Sequence, residues 1–132
     1  MMLIDANVLM YAAGAAHLNK APSIRMLERV AHGELAATIN AETLQEILYR
    51  YGAMGQWNAG RQVYDLARQL FPSVVPISAE ILDRARALLD DYPALMTRDA
   101  LHAAVVMHVG VDAICSYDRD FDAFTAITRV EP

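Results

Sequence analysis

Short apolar runs alternating with longer helical stretches decide what this chain can fold into. The runs are "MLI" at 2–4, "LAATI" at 35–39, "SVVPI" at 73–77, "DAICSY" at 112–117 and a last short one near Ala126–Val130. Between them, Ala6 to Gly14 reads as a helix stopped by glycine. "PSIRMLERVAHG" reads as a second helix, with Pro22 near its start, Ile24, Leu27 and Val30 as its inner stripe and Gly33 as its stop. Asn40 is placed to cap the helix "AETLQEILYRYG", and a fourth helix runs from about Trp57 to Leu70. Ser78 caps a helix through about Asp91, Thr97 caps another from Arg98 to His108, and "DRDFDAF" makes a turn or short helix before the last strand. Strands that alternate with helices pair in parallel and are covered on both faces. The expected fold is α/β: a three-layer α/β/α sandwich around a roughly five-stranded parallel sheet.

The 132 residues suit one domain, 1–132, with a core of its own. Hydrophobic residues make up 55% and charged residues 20%, a globular composition. A net charge of −5 argues against an indiscriminate nucleic-acid binder held by a broad basic surface, although a bound cation would supply positive charge locally. The one cysteine, Cys115, leaves no intramolecular disulfide to form; inside "AICSY" it reads as a buried small hydrophobe rather than a nucleophile. "VLMYAAGAA" imitates a secretion signal, but no Lys or Arg precedes it and Asp5 interrupts the apolar run. No stretch approaches a membrane span in length, so a cytoplasmic protein without membrane contacts is expected.

Asp5 is the anomaly. It follows a strand that should be buried on both faces, where an unpaired carboxylate costs several kcal/mol. A metal ion would offset that cost if other carboxylates meet it. Asp118 comes directly after the strand "DAICSY", and ligand sites of parallel sheets form at the carboxyl ends of strands. Glu46 lies on the helix after "LAATI", and Asp99 lies in the first turn of the helix before "DAICSY". Singly, each has an ordinary explanation: Asp99 complements a helix dipole, Glu46 pairs with Arg50 and Asp118 is a turn residue. Together, like charges in one pocket repel by about 4 kcal/mol per close pair at an effective dielectric near 20, so a cation is required. Oxygen ligands are hard and select Mg²⁺ or Mn²⁺ over zinc. The histidines at 17, 32, 102 and 108 are scattered, and His102, which shares a helix face with Asp99, reads as a packed or supporting residue. Leu101, Val105 and Val109 form the core stripe of that helix.

In these blocks the chain resembles a PIN domain, and most closely a VapC-type toxin ribonuclease. "LIDANVLMYA" resembles the family's opening strand, with its metal-binding acid on Asp5 and its supporting polar residue on Asn7. "INAETLQEIL" places the family's glutamate on Glu46, with Glu42 a poorer match; "TRDALHAA" places its next acid on Asp99. In "CSYDRDF" the hydroxyl residue matches Ser116 and the last acid Asp118, with Asp120 and Asp122 as alternatives. The resemblance implies a twisted five-stranded parallel sheet and a Mg²⁺-dependent ribonuclease cutting RNA. It also implies a cognate antitoxin that occupies the cleft, and a homodimer is expected.

The chemistry suits phosphodiester hydrolysis, with Asp5, Asp99, Asp118 and Glu46 around metal and Asn7 and Ser116 holding them. Arg50, Arg98 and Arg119 flank the acids as candidate grips on the RNA backbone. Two rivals stand beside this. An aspartate-nucleophile phosphatase would need a lysine near the phosphate, and the chain has only Lys20. A catalytically silent PIN-like interaction module would keep the fold for binding alone. Helix 57–70, with Trp57, Val63, Tyr64, Leu66, Ala67 and Leu70, is more apolar than one core stripe needs. It is either simply well buried or forms, with Val8, Leu9, Tyr11 and Ala12, a groove or twofold face for an antitoxin helix whose arginine reaches the acids.

Overall fold

A computed structural model describes residues 1–132. Strands β1 (Met2–Ile4), β2 (Ala37–Asn40), β3 (Val74–Val75), β4 (Ala113–Cys115) and β5 (Arg129–Val130) form one parallel sheet in the order β3-β2-β1-β4-β5. Helices α1 (Ala6–Ala13) and α2 (Lys20–Ala31) connect β1 to β2, and α3 (Ala41–Ala53) and α4 (Trp57–Leu70) connect β2 to β3. Helices α5 (Ala79–Asp91) and α6 (Thr97–Val109) carry the chain back to β4, and a 3₁₀ turn (Arg119–Ala123) precedes β5.

Alternation along the central strands divides the core between the two faces of the sheet. Leu3 and Ile114 pack with Ile81, Ala85, the buried run of α6, Phe121 and Phe124. Their chain neighbours Ile4 and Cys115 pack with Val8, Leu9, Ile39, Ile47, Val63 and Phe71 on the α1–α4 side. The sheet is therefore covered on both faces, and the three-layer architecture follows. From β1 the chain moves outward to β2 and β3, then crosses back to lay β4 on the opposite side of β1. That reversal makes the β1/β4 junction the switch point, where the first residues beyond the strands, Asp5 and Ser116, stand side by side.

Asn40 caps α3 by accepting the Thr43 N–H at 3.0 Å, and Ser78 caps α5 by accepting from Ile81. Thr97 does not cap α6: Met96 occupies that position without a side-chain bond, and Thr97 is the first helical residue. The expected stripe of α6 is also corrected. Asp99 to Val106 are buried without interruption, because α5, α3, β4 and the 3₁₀ turn surround the helix, whereas Val109 is 40% exposed beside the left-handed Gly110 that ends it. The alanines at 100, 103 and 104 allow that enclosure, since a larger side chain on any of them would hold the neighbouring elements apart.

Candidate metal centre

A crevice of about 540 Å³ opens at the carboxyl ends of β1 and β4. Asp5, Glu46, Asp99 and Asp118 all line it, together with Asn7, Arg50, Arg98 and a wall that includes Met10, Tyr11, Tyr51 and Tyr117. Each acid arrives by a different route: Asp5 from the end of β1, Glu46 from the second turn of α3, Asp99 from the first turn of α6 and Asp118 from the loop after β4. The acids form two groups within the crevice. Carboxylate oxygens of Asp5 and Glu46 lie within 4.8 Å of one another and of a His102 ring nitrogen; those of Asp99 and Asp118 lie equally close to each other and to Asp120.

Asp5 is held by a small polar network. Ser116 Oγ donates to Asp5 Oδ2 at 2.5 Å, and accepts from Asn7 Nδ2 and from the Asp118 N–H, both at 3.0 Å. Burial raises the pKa of Asp5, with the Glu46 charge adding to the rise, while His102 and Ser116 oppose it. Asp99 is pushed up to about 6, first by burial and then by the charges of Asp118 and Asp5. Its Oδ2 is buried without any hydrogen-bond partner. A buried carboxylate oxygen left unpaired among other acids is what a hard divalent cation would satisfy, and the oxygen-rich donor set fits Mg²⁺ or Mn²⁺.

His102 is wholly enclosed and joins this site from below. Its Nε2 lies 3.2 Å from Glu46 Oε1 and 3.8 Å from Asp5 Oδ1, and its Nδ1 lies 2.9 Å from Asn40 Nδ2. Burial lowers the ring's pKa, but the bond to Glu46 and the charges of Asp5, Glu46 and Glu42 outweigh it and draw it upward. The Asn40 amide works against that rise, because its N–H already faces the nitrogen that a second proton would take.

Several candidates lie elsewhere. Arg119 is exposed on the 3₁₀ turn and does not line the crevice, and neither does Glu42. Asp122 is turned outward to Arg129, which bonds it at 2.9 and 3.2 Å. The Lys20 amine donates to the Gly14 carbonyl and does not line the crevice, so the chain sets no lysine there for an aspartyl-phosphate mechanism. Val8 and Leu9 are core residues, and of the large apolar residues of α4 only Trp57 and Leu66 are substantially exposed, at 46% and 47%. The apolar wall beside the acids is built by α1 and α3 instead. Sequence reasoning placed His102 only as a supporting residue and Asn40 only as a cap; the signal available was the three-residue spacing of His102 from Asp99.

A twisted parallel sheet whose switch point gathers acids from four separated elements defines a PIN domain, and residues 2–127 match that family, to which the chain belongs. It is 37% identical over 130 residues to ribonuclease VapC13 of Mycobacterium tuberculosis, covering 98% of this chain and 99% of the relative. Among solved structures it is similar to the Mycobacterium tuberculosis sarcin–ricin-loop-cleaving toxin VapC20, with a TM-score of 0.77 and 14% identity over 95% of each chain. It is also similar to a chain of a toxin–antitoxin complex from Klebsiella pneumoniae, with a TM-score of 0.70 and 20% identity over 97% of this chain and 96% of the other. At those identities the two structures attest to the fold alone.

Proposed function

We propose that the crevice is the active site of a divalent-metal-dependent ribonuclease, acting as the toxin of a toxin–antitoxin pair. The observation that carries this reading is the orphaned, buried Asp99 Oδ2 set among the charges of Asp118 and Asp5. When bound, Mg²⁺ or Mn²⁺ would acidify a water for attack on phosphorus and neutralise charge on the phosphate. Asp5, Asp99 and Asp118 would hold the ion, and Glu46 would hold it directly or through water and orient the attacking water. Ser116 and Asn7 keep Asp5 in one rotamer. Arg50 and Arg98 line the same crevice and grip the phosphate backbone there; Arg98 also stands 3.9 Å from Glu46, which restrains both side chains.

A ribonuclease free in its own cell is harmful, and an antitoxin partner answers that need. The wall of Met10, Tyr11, Tyr51 and Met54 beside the acids supports a partner that buries apolar side chains and presents a cation to the carboxylates. A homodimer is part of the same reading, with the exposed Leu66 of α4 as a candidate contact. No helix is long and apolar enough to cross a membrane.

The test is cleavage of total cellular RNA by purified protein with Mn²⁺, with excess chelator, and with the Asp99→Asn variant. Cleavage is expected in the first case only. Cleavage in chelator, or an active Asp99→Asn variant, overturns the metal-dependent reading. Expression with and without the neighbouring gene, scored by growth and copurification, tests the toxin role; harmless expression with nothing copurifying would sink it.

A further inference from the structure

We propose that Asn40 fixes the tautomer of His102, and that His102 is thereby a positioning residue that holds Glu46 at the crevice; this rests on the ribonuclease reading above. The Asn40 side chain has one available orientation. Its Oδ1 accepts the Thr43 N–H at 3.0 Å and stands 3.3 Å from Thr43 Oγ1, so the NH₂ end is the one 2.9 Å from His102 Nδ1. Turning the amide over would set its N–H against the Thr43 N–H and uncap α3. Asn40, Thr43 and His102 are each 0% exposed, so no solvent would relieve that clash.

With Nδ1 an acceptor, the hydrogen of the neutral ring lies on Nε2. That N–H points to Glu46 Oε1 at 3.2 Å, with Asp5 Oδ1 at 3.8 Å. It separates two carboxylates that would otherwise face one another, and commits one oxygen of Glu46 while the other takes no hydrogen bond. The choice of cap then has a reason beyond the helix. Ser, Thr and Asp also cap helices, but Ser and Thr have no second arm. Asp would present an oxygen to Nδ1, draw the hydrogen there and strip it from the nitrogen that faces Glu46. Of the common caps, Asn alone accepts from α3 with one atom and donates to the ring with the other.

The test needs no RNA. Nitrogen chemical shifts of ¹⁵N-histidine-labelled, metal-free protein report each ring's tautomer, and Mn²⁺ binding is read by calorimetry. His102 is expected as the neutral Nε2–H form. Asn40→Ser keeps a cap but cannot reach the ring, so the His102 pattern should move toward a mixture of tautomers and Mn²⁺ binding should weaken about tenfold. His102→Gln returns an N–H near the place of Nε2 and should stay within about threefold of wild type, whereas His102→Leu should weaken binding about tenfold or more. A hydrogen on Nδ1 in the wild type overturns the proposal. So does an equal effect of Gln and Leu at position 102, a comparison that holds even if Asn40→Ser does not fold. Wild-type protein that binds Mn²⁺ as described yet cuts no RNA would overturn the ribonuclease reading and leave this one standing.

Discussion

Ser116 gives its only hydroxyl hydrogen to Asp5, at 2.5 Å, while both of its acceptor positions are filled by Asn7 and the Asp118 N–H. One side chain from the end of β4 thus ties together the two acids that follow β1 and β4. Ser116→Ala removes the donor to Asp5 and leaves the Asn7 amide and the Asp118 N–H without acceptors. The variant should lose about 1–3 kcal/mol of stability in chemical denaturation. It should also bind Mn²⁺ about 10–100-fold more weakly by calorimetry, because Asp5 is no longer held in one rotamer. Wild-type values for both would show that the bond is incidental.

Gly60 determines how closely α4 lies on α3. A Cβ built at Gly60 would stand 2.5 Å from the Tyr51 Cβ, inside any tolerable contact. Gly60→Ala gains about 1 kcal/mol of helix propensity, but overpacking costs about 1–3 kcal/mol, and the clash should prevail. Tyr51 lines the crevice and Glu46 lies on the same helix, so a displaced α3 should weaken Mn²⁺ binding along with stability. A melting temperature at or above wild type would show that the helices have room to separate.

The layers of this fold were legible from residue pattern, because each short apolar run is flanked by a helix with an evident stop or cap. Those signals are local, and the boundaries they mark at Asn40, Ser78, Trp57 and Leu70 agree with the structure. Thr97 misled because a threonine before an apolar stretch suits either a cap or a first helical residue, and only the backbone angle at Met96 distinguishes them. Val109 misled because enclosure of α6 depends on four neighbouring elements rather than on its own periodicity. Asp5, Asp99 and Asp118 could be named from their places after strands or in a first turn, and Glu46 from its place on the helix that follows β2. Their division into two groups could not, since α3 and α6 cover opposite faces of the sheet and bring their acids to the switch point only when the chain is folded. The role of Asn40 was hidden for the same reason: its second partner, His102, lies 62 residues away in sequence.

Asp99 supplies a prediction about pH. Its folded pKa of about 6 lies above the ordinary value of 3.8, so the folded metal-free protein binds this proton more tightly than the unfolded chain does. Stability conferred by that proton is present below about pH 4 and is lost as pH rises toward 6. Asp99→Asn abolishes the dependence. Without metal at pH 7, the variant should be more stable than wild type by about 1–2 kcal/mol, allowing for water in the open crevice. The gap should close near pH 4, and saturating Mg²⁺ should shrink it by stabilising the wild type alone. Denaturant titrations at the two pH values check this, and a gap that ignores pH would mean that Asp99 is not the group under strain.

The acids of the 3₁₀ turn should separate sharply by function. Arg129 bonds Asp122 through Nε and Nη2, Glu131 at 2.8 Å and the Ser116 carbonyl at 3.0 Å, so Asp122 is spent in clamping the turn to β5. The same guanidinium lowers the Asp122 pKa, as expected of a carboxylate kept charged by a partner. Asp118, by contrast, lines the crevice, and its Oδ1 accepts the Asp120 N–H at 2.9 Å, which orients the carboxyl toward Asp99. Asp118→Asn should therefore lower RNA cleavage by about 100-fold or more, in keeping with the loss of a charge that a metal requires. Asp122→Asn should cut at a near wild-type rate with a small loss of stability, since Arg129 retains Glu131 and the Ser116 carbonyl. Asp120→Asn should fall between them, about tenfold down in Mn²⁺ affinity, because its carboxylate stands with those of Asp99 and Asp118 but is exposed. If Asp122→Asn proves as damaging as Asp118→Asn, the metal is held from the outer side of the turn and the arrangement of acids drawn here is wrong.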